Sequence, residues 1–201
     1  MTAILIYGRL DKAKSQYQNI KYIFGNVDFF ASSDNSPQEC VDDFLTLYKP
    51  ILYTNEPIVH SYQVHHYPNR PPETNDKTLY NMIRHFINKK RVFELMKQSG
   101  KTYKCIISLR VDVVLSCSPS ITILPYYIYI PYGNDHRDGI NDQIALGNES
   151  VMKPYMNIID SMVFLLESGL SFPHPERLTL VNLQYHNVPI KRFNLRYDII
   201  R

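Results

Sequence analysis

The chain has 201 residues, of which 44% are apolar and 20% charged. That balance supports a packed core and excludes a disordered chain. A net charge of +3 is too small to make nucleic acid a bulk partner, and no run approaches the roughly 18 apolar residues of a membrane span.

One domain over residues 1–201 is the expectation at this length, whether it stands alone or within a longer polypeptide. The N-terminal run "MTAILIYGRL" has no basic leader and its apolar stretch breaks at Gly8. The expectation is therefore no signal peptide, no anchor and a cytoplasmic location. Cys40, Cys105 and Cys117 form no CxxC pair. Cys105 and Cys117 lie in or beside an apolar segment and read as buried free thiols of a reducing compartment. Sixteen tyrosines without a tryptophan give amphipathic aromatic surface, suited to sugar or nucleotide sites and equally to ordinary cores.

Residues 3–8, "AILIYG", read as a buried first strand closed by a glycine turn. Tyr17, Ile20, Ile23 and Phe24 recur at helical spacing over 12–24. "VDFFAS" (27–32) is a second strand. In "SPQECVDDFLTLYKP", Ser36 is the expected N-cap, Pro37 the first helical residue and Glu39 the partner of a capping box, with Pro50 as the stop. "ILYTN" (51–55) and "IVHSY" (58–62) are candidate strands, and 63–77 is a proline-rich loop in which His65 and His66 read as loop residues. Leu79, Met82, Ile83, Phe86, Phe93 and Met96 line one face of the clearest helix, which Gly100 ends.

"CIISLRVDVVL" (105–115) follows as a buried strand interrupted by Arg110 and Asp112, two residues apart and so on one face. "YYIYIPYG" (126–133) is another strand and "NDHRDGINDQ" a polar turn. "SVMKPYMNIIDSMVFLLESG" reads as one long helix with Pro154 near its first turn, "HPERLTLVNLQYHN" as a helix opened by Pro175, and "VPIKRFNLRYDI" as a final strand. Strands alternate with helices, so the expected fold is an α/β sandwich with a mostly parallel central sheet. Ligands of such sheets sit beyond the carboxyl ends of the strands, where Gly8-Arg9, Arg110-Asp112 and the 133–142 turn all fall.

A carboxylate at the end of a buried strand needs an ion pair, a hydrogen bond or a metal. Asp112 is thus either paired with Arg110 or part of a site for a hard divalent cation and phosphate, with Arg110 as a phosphate contact. Gly8 permits close approach of a ligand and Arg9 suits a diphosphate; a plain turn with a solvated arginine explains them equally. Asp142 opens an apolar segment, where burial would raise its pKa and fit it to act as a base; a helix N-cap is the competing reading. His174 reads as a cap and His186 as an extra candidate metal ligand. HExxH, GxSxG, P-loop and GxGxxG patterns are absent.

"ILIYGRL", "NVDFFASS", "FLTLYKP", "NMIRHFINKKRVFELM", "YKCIISLRVDVVL" and "INDQIALGNESVMKPY" occur in that order. Over residues 3–160 this resembles nucleotide-sugar glycosyltransferases of the GT-A fold, closest to the glycosyltransferase domains encoded by chlorella viruses. The resemblance implies a GT-A-like, Rossmann-like sandwich and a metal-dependent transferase that uses a UDP-sugar. L-rhamnose or glucose would be the donor sugar, and a glycan, on a viral capsid glycoprotein, the acceptor. It places the metal-binding DxD motif on Arg110-Val111-Asp112, with arginine replacing the first acidic residue and Asp112 left to hold Mn²⁺ or Mg²⁺. It makes Tyr7, Gly8 and Arg9 nucleotide contacts, Arg84 a further nucleotide or phosphate contact, and Asp142 the base of an inverting displacement. The altered DxD leaves a non-catalytic nucleotide-sugar or glycan-binding module as the alternative. A metal-dependent nuclease is opposed by the low net charge and the lack of a second carboxylate cluster.

Overall fold

The computed structural model describes residues 1–62, 71, 74–119 and 121–200. The chain opens on β1 (Thr2–Tyr7), a 3₁₀ turn (Leu10–Lys12) and α1 (Ala13–Phe24). Then come β2 (Asp28–Ser32), α2 (Gln38–Tyr48), β3 (Leu52–Thr54) and α3 (Asp76–Gln98). β4 (Cys105–Arg110), β5 (Val113–Leu115), β6 (Ile128–Pro131) and β7 (Ile144–Gly147) follow. The chain closes with α4 (Glu149–Met156), α5 (Ile158–Glu167), α6 (Pro175–Tyr185), β8 (Ile190–Phe193) and β9 (Tyr197–Ile199).

Among the described residues, seven strands form one sheet in the order β3-β2-β1-β4-β7-β6-β8, and β5 pairs with β9 in a separate ribbon. Only β7 runs against the other six, so the sheet is mostly parallel, as the alternation of strands and helices predicts. β1, third in that order, lies inside the sheet and is apolar on both faces because helices cover both. Ile4 and Ile6 pack with Ile20, Val41 and Phe44 of α1 and α2. Ala3, Leu5 and Tyr7 point the other way, into a core with Val92, Phe93 and Met96 of α3 and Tyr155 of α4. A third cluster joins Leu79, Met82, Ile83 and Phe86 to α5 and α6. α3 therefore buries two stripes, one on the sheet and one on the outer helices.

Several elements depart from the sequence reading. α2 starts one residue late: Pro37 is its N-cap and Ser36 makes no cap. The Ser36 hydroxyl instead accepts from the Leu10 N–H (2.9 Å), tying the loop after β2 to the loop after β1. The segment 58–62 forms no strand. The long C-terminal helix is two, α4 and α5, broken at Asn157. Pro154 has no N–H for the Ser150 carbonyl, and its own carbonyl accepts from the Asn182 side-chain amide (2.8 Å). β7, only four residues long, has no alternating pattern to announce it. The last strand is also two: β8 pairs with β6, and β9 with β5. The three cysteines are free, but neither of the two expected to be buried is so: Cys105 is half-buried and Cys117 exposed. His65 and His66 lie outside the described residues.

Asn182 is fully buried and joins the Pro154 carbonyl to the Ser161 hydroxyl. Asn182→Ala leaves both without that partner and should cost about 2 kcal/mol of unfolding free energy. A urea midpoint that does not move would show that the proline alone makes the break.

Candidate functional site

The sheet face under α3 changes character along the strands. Near their middle, Leu5 of β1 is in register with Phe30 of β2 and Ser108 of β4. One row nearer the carboxyl ends, Tyr7 lies between Ser32 and Arg110. α3 matches this change. Val92, Phe93 and Met96 cover the apolar rows, and His85, Asn88 and Lys89, about two turns earlier, lie over the polar one. Asn88 Oδ1 accepts from the Ser32 hydroxyl (2.7 Å). The His85 ring stands edge-on to Tyr7, with centroids 5.2 Å apart. Lys89 places Nζ 3.4 Å from the centre of the Tyr155 ring.

Two hollows open at this edge. One, of about 180 Å³, is lined by Gly8, Arg9, Asp34, Asn81, Arg84, His85, Asn88 and Arg110. The other, of about 260 Å³, is lined by Gly8, Arg9, Asp11, Lys12, Arg110, Val111, Asp112 and Ile200. Gly8, Arg9 and Arg110 border both, so the hollows form one cleft across the ends of β1 and β4. Gly8 has φ +113°, and a Cβ there would stand 3.0 Å from Val111 Cγ1, which explains why glycine ends the first strand. A larger hollow of about 600 Å³ runs along the outer side of α3 past Tyr53, Arg91 and Glu94, and shares no residue with the cleft.

The sequence-derived candidates meet here, with corrections. Gly8, Arg9, Arg84 and Arg110 line the cleft. Tyr7 does not: it is fully buried, and its hydroxyl donates to the carbonyls of Asp142 (3.0 Å) and Gln143 (3.3 Å). It braces the cleft floor, and its side chain is shielded from any nucleotide. Arg110 ends β4, and Asp112 sits in the turn beyond. That turn is pinned on three sides. The Val111 N–H donates to the Tyr7 carbonyl (3.0 Å), the Gln16 amide donates to the Val111 carbonyl, and the Ile200 N–H donates to the Asp112 carbonyl (2.9 Å).

The Asp112 side chain is neither open nor sealed, with 26% of its surface exposed. Arg110 grips it through both oxygens, Nε to Oδ1 at 2.6 Å and Nη2 to Oδ2 at 2.9 Å. This arrangement does not fit the expected Mn²⁺ or Mg²⁺ site. A hard cation needs carboxylate charge, and here the carboxylate is already neutralised by a guanidinium. Among the described residues no three His, Cys, Asp or Glu side chains gather around a common point. His186 likewise joins no such group; it follows α6, with its ring edge-on to Tyr185.

Asp142 precedes strand β7, so the helix-cap reading falls away. It is buried, and His85 Nε2 lies 3.2 Å from its Oδ2. The expectation of a raised pKa is reversed. Burial opposes ionisation, but the His85 ring, Arg110 and Lys89 outweigh it and lower the carboxyl to about 2. His85 itself is pushed below the usual histidine range by burial, which Asp142 only partly offsets. Burial also lowers Lys89 to about 7, against the pull of Asp142.

Asp34, Asn81, His85, Asn88 and Lys89 escaped the sequence reading. Asp34 lies two residues past β2 and accepts from Arg84 Nε and from the Ile58 N–H. The signal on α3 was present: residues 81, 84, 85 and 88 form a polar stripe at helical spacing beside the apolar one. Such a stripe ordinarily marks a solvated face, and only the position of α3 over the strand ends gives it another meaning.

No protein-family model matches the chain, and no curated protein matches it. Solved structures do. The nucleoside-diphosphate-sugar pyrophosphorylase from Vibrio cholerae RC9 superposes with a TM-score of 0.52 at 11% identity, covering 96% of this chain and 91% of that one. The glycosyltransferase GlyE of Streptococcus pneumoniae TIGR4 superposes with a TM-score of 0.55 at 10% identity, covering 96% of this chain and 46% of that one. These likenesses carry the fold: an α/β sandwich shared with enzymes named for nucleotide-sugar and glycosyl-transfer chemistry. Neither of these two neighbours is a viral protein. Among the described residues no helix is long and apolar enough to cross a membrane.

Lys89 gives a pH test of the buried layer. Its folded pKa is lowered to about 7, so between pH 7 and the unfolded value near 10.4 the unfolded chain binds the extra proton and stability rises with pH. Lys89→Met removes this term. The variant should gain on the wild type by about 2 kcal/mol more at pH 7 than at pH 9, measured as the double difference in urea unfolding. An equal difference at both pH values would place an ordinary, charged lysine there.

Proposed function

We propose that the chain is a glycosyltransferase that binds a UDP-sugar in the strand-end cleft and passes the sugar to a hydroxyl of a glycan acceptor. The observation that carries this reading is the cleft itself. Arg9 and Arg110 border both hollows, with Lys12 in one and Arg84 in the other. A diphosphate wants that density of N–H donors. Asp34, Asn81 and Asn88 offer the mixed donors and acceptors that hydroxyl groups require. The fold is one on which enzymes of nucleotide-sugar and glycosyl-transfer chemistry occur.

The acceptor hydroxyl is a weak nucleophile and needs a base. Asp142 was the sequence candidate, but only 3% of its side chain is exposed. His85 stands between it and the cleft, and lines the 180 Å³ hollow. His85 is therefore the group that meets the hydroxyl, and Asp142 is its positioning residue, which orients the ring and stabilises the imidazolium once formed. Burial keeps the imidazole neutral at pH 7, the state a base must start from. In a single inverting displacement the acceptor oxygen bonds to the anomeric carbon. The bond to the β-phosphate oxygen breaks, its electron pair leaves with UDP, and the hydroxyl proton passes to His85.

Release of UDP from UDP-glucose and UDP-L-rhamnose, with water as acceptor, is the first measurement. His85→Gln should lower turnover on the accepted donor by about 10²-fold while leaving UDP affinity within about threefold. Wild-type turnover should rise with pH through a limb below the ordinary histidine value. Asp142→Asn should lower turnover and displace that limb. Turnover unchanged in His85→Gln would refute the base, and failure of UDP to bind would refute the donor site.

A further inference from the structure

A guanidinium has five N–H donors in a rigid planar fork. Asp112 takes two of those on Arg110, and among the described residues the Arg110 side chain donates to no other group, though Asp142 and Tyr7 lie within electrostatic reach. The side chain is 24% exposed and borders both hollows, so its remaining donors are available to a ligand in the cleft. The fork also does not drift. The Arg110 N–H is held by the Gln143 carbonyl (2.9 Å), and the Val111–Asp112 turn is pinned by β1, α1 and Ile200. Arg9 stands across the cleft mouth, with 65% of its side chain exposed and Asp11 at the limit of ion-pair distance, 4.0 Å.

A divalent cation bound at Asp112 would have to displace this fork or sit beside a fixed positive charge. Each Asp112 oxygen already accepts an N–H from Arg110; Asp11 lines the same hollow, but among the described residues no three His, Cys, Asp or Glu side chains gather there. Arg9, Lys12 and Arg110 bring N–H donors for a diphosphate to this hollow without a metal. We infer that Arg110, oriented by Asp112, takes the place of a divalent cation at this site, so that the cleft binds a nucleoside diphosphate directly through Arg9 and Arg110. This rests on the donor-site reading above and deepens it. As the glycosidic bond to the donor breaks, its electron pair goes to a β-phosphate oxygen. The growing charge there is met by guanidinium N–H groups, and no proton need reach the leaving group.

The test is calorimetric titration of UDP into the full chain, once in excess EDTA and once in excess Mn²⁺. Wild-type affinity should differ by less than about fivefold between the two. Arg110→Met should weaken binding by more than about tenfold in both, and Arg110→Lys, which keeps the charge and loses the fork, should fall between. Asp112→Asn should weaken binding by one common factor in EDTA and in Mn²⁺, because Asp112 acts only through Arg110. The metal comparison needs no variant and so stands even if Arg110→Met does not fold. A Mn²⁺ effect of about fivefold or more in the wild type, or Arg110→Met binding like the wild type, would overturn the inference while leaving the donor site intact. UDP binding in neither condition would remove the donor site and the inference together.

Discussion

The bidentate pair between Arg110 and Asp112 organises the carboxyl edge of the sheet. It joins the last residue of β4 to the turn that follows, and that turn is held in place by β1, α1 and the C-terminal ribbon. An exposed ion pair contributes little to stability, and this one is part-buried with both members otherwise fixed. Its consequence is one of position. It fixes the guanidinium N–H groups at the junction of two hollows and engages the carboxylate that a metal would have needed.

Beneath it lies an unusual core layer. Tyr7, His85, Lys89, Asp142 and Tyr155 bring ionisable and hydroxyl groups together one row beyond Leu5 and Phe30, a row whose polar member is Ser108. Burying such groups is costly unless they satisfy one another. Mutual attraction keeps Asp142 ionised, while burial drives His85 and Lys89 toward their neutral forms. A purely structural layer would be more stable built from leucine and phenylalanine. That polarity, next to a cleft, supports the proton transfer proposed for His85.

The same fold serves a protein named a pyrophosphorylase and one named a glycosyltransferase, so the sheet alone does not choose between chemistries. The choice lies in what surrounds the cleft. In the reading proposed above, Arg9, Arg84 and Arg110 are the anion-binding groups, among the described residues without a gathered carboxylate set, and His85 backed by Asp142 is the base.

The strand–helix alternation was legible because apolar spacing is a local property: both faces of "AILIY" are covered, and the stripes of "NMIRHFINKKRVFELM" return every three or four residues. Glycine and arginine after the first strand, and Arg110 with Asp112 after the fourth, were legible for the same reason, since strand ends can be found from sequence. What they do there was not. Whether Asp112 holds a metal or a guanidinium depends on rotamers and on a turn pinned by Gln16 and Ile200, far apart in the chain. Whether Asp142 has a raised or lowered pKa depends on His85 and Lys89, which reach it only because α3 crosses the strand ends. Local pattern determined which segments are strands and helices. Only the tertiary structure decided which charges face each other, because electrostatic environment is set by neighbours in space rather than by neighbours in sequence.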